Sequence, residues 1–208
     1  FGSYILHKLR YDAMRRLPRR ERERLFGAAD SAQQGSRLLY HSMRLAALFK
    51  MRPRERERLR LLCYCHDIGL VGVPGGLDRP YGALSGEQRR QYDAHIDLGA
   101  AIAAEIPVIS RAAGLIACHE EYYDGSGAKG MYGCSIPLAC RILTAVRMYD
   151  HYTHIGRAGQ ALSSGEALRE LELYSGSLLD PEVVAALNRL LSDERLGMKL
   201  MDHVYAAR

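Results

Sequence analysis

No apolar run in the 208-residue chain approaches the roughly 20 residues of a membrane-spanning helix, so no membrane contact is expected of this segment. The first residues, Phe1-Gly2-Ser3-Tyr4, have neither an initiator Met nor the basic-then-apolar pattern of a secretion signal. The expectation is a segment cut from a longer protein, with an upstream sensory or receiver domain. Cysteine is sparse and odd in number, at five, and Cys63, Cys65, Cys118 and Cys140 sit among apolar residues as reduced core thiols do. That pattern implies no disulfide framework and leads us to expect a soluble, cytoplasmic protein. An excess of one charge sign along the chain is lacking as well. The net charge is +5, but bases alternate with acids in Arg20-Glu21-Arg22-Glu23-Arg24 and Arg54-Glu55-Arg56-Glu57-Arg58, the pattern of a solvated helix face. With no aromatic-interleaved basic stripe, nucleic acid is not an expected partner. No segment alternates convincingly as a β-strand.

What is present is an ordinary globular composition, 48% hydrophobic and 25% charged, in a chain long enough for one domain or two small ones. A compact fold of this size buries about 70% of its unfolded surface and needs no disulfides or oligomer to hold it. Residues 1–32 read as an N-terminal helical extension or linker and 33–208 as the main domain. The Pro-led stretches Pro18 to Leu25 and Pro53 to Leu59 look alike, but two similar helix entries explain them without a repeat architecture. Apolar residues at helical spacing run through Leu38, Leu39, Ala46 and Phe49, and through Leu59, Leu62 and Cys63 up to His66. Gly69, Gly72, Pro74, Gly75 and Gly76 then break the pattern. Ser85 with Gln88 offers a capping box for a helix carrying His95. After Pro107, a helix from about Val108 is expected to reach His119, ahead of the loop Asp124-Gly125-Ser126-Gly127. A further helix follows Pro137, Ser163 with Glu166 caps another, and Asp180-Pro181 places a cap before Pro at a last helix start.

His41, His66, His95 and His119 thus fall on four successive expected helices, with Asp67 beside the second and Glu120 beside the fourth. Imidazole and carboxylate donors suit Zn, Mn or Fe, and helical bundles build metal sites from ligands on several helices. Each His taken alone reads more readily as a hydrogen-bonded core or surface residue than as a metal ligand. The context of His66-Asp67 weighs the other way, because an ionised Asp at the end of an apolar helix is costly to bury unless a cation or donor meets it. His151 and His154, one turn apart, read as a polar helix end rather than a second metal pair.

Taken together the motifs resemble the HD-GYP family, the branch of HD phosphohydrolases that hydrolyses cyclic dinucleotides. The likeness covers roughly residues 33 to 190. It rests on His41-Ser42-Met43-Arg44, His66-Asp67-Ile68-Gly69 with Gly72-Val73-Pro74, His95 with Gly99, His119 through Gly127, Ile136 through Ile142, and Leu178 through Val184. The resemblance implies an all-α HD-superfamily helical bundle with metal at His41, His66, Asp67, His95, His119 and Glu120. Of these, His66 and Asp67 would be catalytic, Asp67 bridging. It implies a divalent transition metal, two ions of Fe or Mn, with Zn or Ni also compatible, and a bridging hydroxide that opens the cyclic phosphodiester.

The sequence departs from the family's pattern where the chemistry is most demanding. Leu70 stands where the family carries a Lys able to steady the scissile phosphate. Glu120 replaces the second of paired histidines, and Arg147 aligns with the last metal-binding Asp, where its guanidinium would repel a dication. Arg37 stands where some members carry an acid, which argues against a third metal, and Asp150 aligns with a structural Asp. The Gly-Tyr-Pro signature reads Gly127-Ala128-Lys129. Two functions fit. One is a metal-dependent phosphodiesterase acting on a cyclic dinucleotide such as cyclic di-GMP or another nucleotide, with Arg44 and Lys129 as candidate contacts to the substrate phosphate. The other is a degenerate HD-GYP module that binds a ligand, signals or dimerises; a homodimer is compatible with either.

Overall fold

Seven α-helices and three short 3-10 helices make up the regular structure in the computed structural model, which describes residues 30–73, 85–155 and 160–206. β-pairing among the described residues is confined to an isolated bridge between Ser175 and Leu179. The fold is all-α. The helices are α1 (Asp30–Leu48), α2 (Pro53–Cys65), α3 (Gly86–Glu105), α4 (Ala113–Ile116), α5 (Leu138–His154), α6 (Ser164–Leu173) and α7 (Pro181–Ala206). The extension expected over residues 1–32 lies outside the described residues, apart from Asp30–Ala32, which begin α1. The helix entry at Pro18 and the loop residues Pro74, Gly75 and Gly76 also lie outside them.

Two compact units partition the chain. One takes the residues up to Leu39 together with Glu57–His119; the other takes Tyr40–Arg56 together with Glu120 onward. In the first, Leu59, Leu62, Ile109, Ile116 and Cys63 form an apolar interior, each about 1% exposed or less. Burying a Leu or Ile side chain contributes about 1.5–3 kcal/mol, so this handful outweighs any surface pair in the unit. The helix α3 is the hub, packing on the 3-10 helix Ile68–Gly72, on α4 and on the 3-10 helix Ser110–Ala112. Ser85 starts α3 with the expected capping box: its hydroxyl accepts from the Gln88 N–H at 3.3 Å, and the Gln88 side chain accepts from the Ser85 N–H at 2.9 Å. At Gly69 backbone meets backbone. A Cβ there would lie 1.9 Å from the His95 carbonyl oxygen and 2.6 Å from the Gly99 nitrogen, so only glycine lets this turn sit on α3.

The expected helix from Val108 to His119 is not continuous. The chain leaves α3 at Ile106, makes the 3-10 turn Ser110–Ala112 and the four-residue α4, and carries His119 in a turn. Local hydrogen bonding explains the break. Pro107 has no N–H to donate and its carbonyl accepts from the Ser110 hydroxyl at 3.1 Å, while the Ile116 carbonyl is taken by the His119 ring at 2.7 Å. Similarly, α2 ends at Cys65, and His66 adds one last ladder bond to the Leu62 carbonyl at 2.9 Å before the chain turns.

In the second unit α5, α6 and α7 pack on one another around Ile142, Leu143, Val146, Leu171, Val183 and Leu187. Ser163 caps α6 through a reciprocal box with Glu166. Asp180 does two things at the entry to α7: one oxygen accepts from the Glu182 N–H at 2.8 Å and the other pairs with the part-buried Arg141 guanidinium. Among the described residues no helix is long and apolar enough to cross a membrane.

Candidate metal centre

His66, Asp67 and His119 are placed by chain breaks, whereas His95 projects from the interior of α3. His66 and Asp67 follow α2, and the Gly69 contact holds the turn that carries them against the middle of α3, at His95 and Gly99. His66 Nε2 lies 3.1 Å from Asp67 Oδ2, and His119 Nε2 lies 3.7 Å from Asp67 Oδ1. The three imidazoles stand edge to face, His119 being 5.7 Å from His66 and 5.5 Å from His95 between ring centroids.

The tautomers of two of these rings follow from their backbone partners. His95 Nδ1 lies 2.7 Å from the Tyr92 carbonyl and His119 Nδ1 lies 2.7 Å from the Ile116 carbonyl. A carbonyl only accepts, so both rings donate from Nδ1, and when neutral each presents a lone pair at Nε2. His95 is 1% exposed, and its Nε2 has no hydrogen-bond partner. A buried imidazole with an unmatched lone pair costs free energy unless a cation or donor meets it. Backbone-anchored Nδ1 with Nε2 aimed at a carboxylate is how metal-binding histidines are oriented.

Asp67, His95 and His119 each offer one ligand atom, and these atoms lie within 4.8 Å of one another. A bound ion would draw them together only slightly, since donors about 2.1 Å from one ion lie up to about 4.2 Å apart. Nitrogen and carboxylate oxygen donors of this kind fit a divalent transition metal. The donor set therefore fits the cofactor that the sequence leads one to expect.

The other expected site residues are placed as follows. His66 stays beside Asp67, its Nε2 3.1 Å from Asp67 Oδ2. His41 belongs to the second unit, its ring edge-on to Tyr40 at 5.1 Å and to Tyr149 at 5.4 Å between centroids. Burial first, and the Arg44 guanidinium second, hold its pKa below the usual histidine value, with Asp150 opposing. Arg44 lies over the Tyr40 ring at 5.2 Å and donates to its hydroxyl at 3.3 Å. Lys129 has an exposed side chain and a backbone N–H held by Glu121 Oε1 at 2.7 Å. Arg147 Nη1 meets Glu120 Oε1 at 2.7 Å, both side chains being about a quarter exposed. His154 pairs with Asp150 at 3.2 Å, the ordinary polar helix end expected of it.

One residue with an organising role was not singled out from the sequence. Glu121 is buried, and its two oxygens accept from the Lys129 and Met131 N–H groups at 2.7 and 2.9 Å, pinning the loop that follows the histidine turn. A Cβ at Gly127 would meet the Glu121 carboxylate at 2.9 Å, so the loop closes on that side chain only because residue 127 is glycine. The available signal was an acid just before a glycine-rich loop, where unpaired backbone donors need acceptors.

The profile of the HD domain family matches residues 18–183. The chain belongs to the HD domain family. It is 30% identical over 128 residues to a cyclic di-GMP phosphodiesterase of Thermotoga maritima, covering 60% of this chain and 35% of that protein. It is 28% identical over 164 residues to a 3'3'-cGAMP-specific phosphodiesterase of Vibrio cholerae, covering 78% of this chain and 35% of that protein. Similar solved structures are a cyclic GMP-AMP-specific phosphodiesterase of V. cholerae and an HDG"Y"P protein of Bdellovibrio bacteriovorus. The first has a TM-score of 0.59 at 20% identity over 78% of this chain and 44% of that one; the second has 0.63 at 21% over 78% and 52%. These likenesses identify the fold as an HD-type helical one. The chain spans about a third of the length of the curated relatives it matches.

Proposed function

We propose that this chain is a metal-dependent phosphodiesterase of HD-GYP type acting on a cyclic dinucleotide such as cyclic di-GMP or cyclic GMP-AMP. The observation that carries the reading is the pair of buried imidazoles, His95 and His119, whose Nδ1 atoms are tied to backbone carbonyls so that Nε2 is left for a metal beside Asp67. The relatives named above support the substrate class. A divalent ion, Fe or Mn with Zn or Ni also compatible, supplies charge neutralisation at a phosphate and a nucleophile at neutral pH when bound. Asp67, His95 and His119 would hold it, with His66, whose Nε2 lies 3.1 Å from Asp67 Oδ2, a further ligand. We assign His41 to the same machinery as a neutral imidazole on the strength of its sequence motif. Arg44 and Lys129 are the side chains we assign to the substrate phosphate. A cytoplasmic setting, an upstream sensory or receiver domain and a homodimer belong to the same reading.

A second reading has its own observation. Arg147 pairs with Glu120, a carboxylate expected from the sequence to be a metal ligand, as a degenerate module that has kept the fold for signalling, ligand binding or dimerisation would do. The deciding experiment is incubation of the Mn- or Fe-loaded chain with cyclic di-GMP and with cyclic GMP-AMP, with Asp67→Ala as control. Linear dinucleotide formed by the wild type and not by the variant supports the phosphodiesterase. A chain that binds metal and nucleotide but yields no product favours the module.

A further inference from the structure

We propose that two copies of this chain pair through α7, antiparallel about a two-fold axis between Ala185 and Ala186, so that Glu182 of each copy meets Arg189 of the partner subunit. The proposal rests on the homodimer of the reading above, to which it gives a surface, and is independent of the metal chemistry.

The surface lies wholly within the second unit. A groove of about 320 Å³ is lined by Leu48 and Phe49 at the end of α1 and by Glu182, Ala185, Ala186 and Arg189 along α7. Leu48 is 50% exposed, and Glu182, Ala185 and Arg189 are exposed as well, whereas Val183, Val184 and Leu187 of the same helix are buried. The inner face of α7 is thus covered by its own unit, and the groove runs along its outer face.

Helical spacing fixes what the outer face carries. Glu182, Ala185, Ala186 and Arg189 stand at positions i, i+3, i+4 and i+7, a single stripe with an acid at one end, a base at the other and two methyl side chains between them. The alanines let a second helix approach to the short end of the range between packed helices, about 8 Å between axes. Charge then decides the direction of that helix. Laid parallel, the two stripes would set acid against acid and base against base. Laid antiparallel, with Ala185 against Ala186 of the partner subunit, the same register brings Glu182 to Arg189 of the partner subunit, because both pairs are centred on one point of the helix. The stripe is its own complement, which is what a two-fold interface requires. No described residue forms an ion pair with Glu182 or Arg189 within the chain, and antiparallel helix dipoles favour the same arrangement.

Sedimentation velocity across the micromolar range tests the pairing on the wild-type chain, on Glu182→Arg, on Arg189→Glu and on the double reversal Glu182→Arg/Arg189→Glu, each with its helical content checked by circular dichroism. The expected result is a concentration-dependent dimer in the wild type. Each single reversal sets like charges against one another at both ends of the contact and should weaken dimerisation by about tenfold or more. The double reversal restores opposite charges in the same register and should return the affinity to within about threefold of wild type. If one single variant does not fold, the other tests the same pair from its opposite side. A wild type that stays monomeric overturns both the proposal and the homodimer, and leaves the groove to a different occupant. A dimer that single reversals leave intact, or that the double reversal fails to restore, overturns the proposal while the homodimer stands.

Discussion

Replacing Gly69 by alanine tests how closely the histidine-aspartate turn is held against α3. The added methyl carbon would sit 1.9 Å from the His95 carbonyl oxygen and 2.6 Å from the Gly99 nitrogen, both backbone atoms of a packed helix. Nonbonded carbon contacts settle near 3.5 Å, so the turn or the helix must move by about 1.5 Å. Neither can rotate out of the way as a side chain could. Overpacking costs about 1–3 kcal/mol where the surroundings can adjust, and the upper end is expected here, offset by up to about 1 kcal/mol from the stiffer unfolded chain. Asp67 lies two residues before Gly69, so the same shift carries its carboxylate away from His95 Nε2. A displacement of that size should weaken metal binding by about tenfold or more. Gly72 is the internal control. A Cβ there meets only the Leu98 side chain, at 2.2 Å, and that exposed leucine can change rotamer. Denaturant unfolding followed by helical circular dichroism and metal competition against a chromophoric chelator measure the two effects. Gly69→Ala should lose about 2 kcal/mol and the metal affinity, and Gly72→Ala little of either. A Gly69→Ala protein within about 0.5 kcal/mol of wild type, with its metal affinity intact, would refute the reasoning.

Three further outcomes follow from the second unit. Asp180→Ala should cost about 2–4 kcal/mol in unfolding experiments, because it removes the charged partner of the part-buried Arg141 guanidinium and uncaps α7; Asp180→Asn, which keeps the cap acceptor, should cost less. Glu121→Ala should lower the unfolding free energy by about 1.5–3 kcal/mol and speed hydrogen exchange at the Lys129 and Met131 amides, which lose their charged acceptor. The hydrogen bonds of Ser163 hold the Glu166 pKa below its usual range, so the ionised carboxylate favours the folded state at neutral pH. That contribution is present above the ordinary glutamate range and is lost as pH falls through the lowered value. The unfolding midpoints of wild type and Glu166→Gln should therefore differ most near pH 7 and converge toward about pH 3, while a gap that widens on acidification would contradict the assignment.

The local features of this fold were legible because each is written within a few residues. Both capping boxes, at Ser85 with Gln88 and at Ser163 with Glu166, form as read, since a hydroxyl and a side chain three residues on meet at almost any helix start. The helix expected from Val108 was misread because its apolar spacing says nothing of competing bonds. Pro107 removed a donor and the His119 ring took the carbonyl that a longer helix would have used. The order of the histidines and the aspartate marked the donor group along the chain. Their convergence depended on Gly69 letting two backbone segments touch, and no periodicity carries that. Two features lay further from sequence reasoning. Glu121 finds its partners 8 and 10 residues away in an irregular loop, and Arg147 finds Glu120 across 27 residues. Distances of that kind are set by tertiary packing.

The most direct measurement is the metal retained by the purified chain, compared with Asp67→Ala and His95→Ala proteins whose helical content matches the wild type. The account predicts a divalent transition metal bound to the wild type and lost from both variants, because each removes one of the donors Asp67, His95 and His119. Equal metal in all three proteins, or none in the wild type after loading, would contradict it.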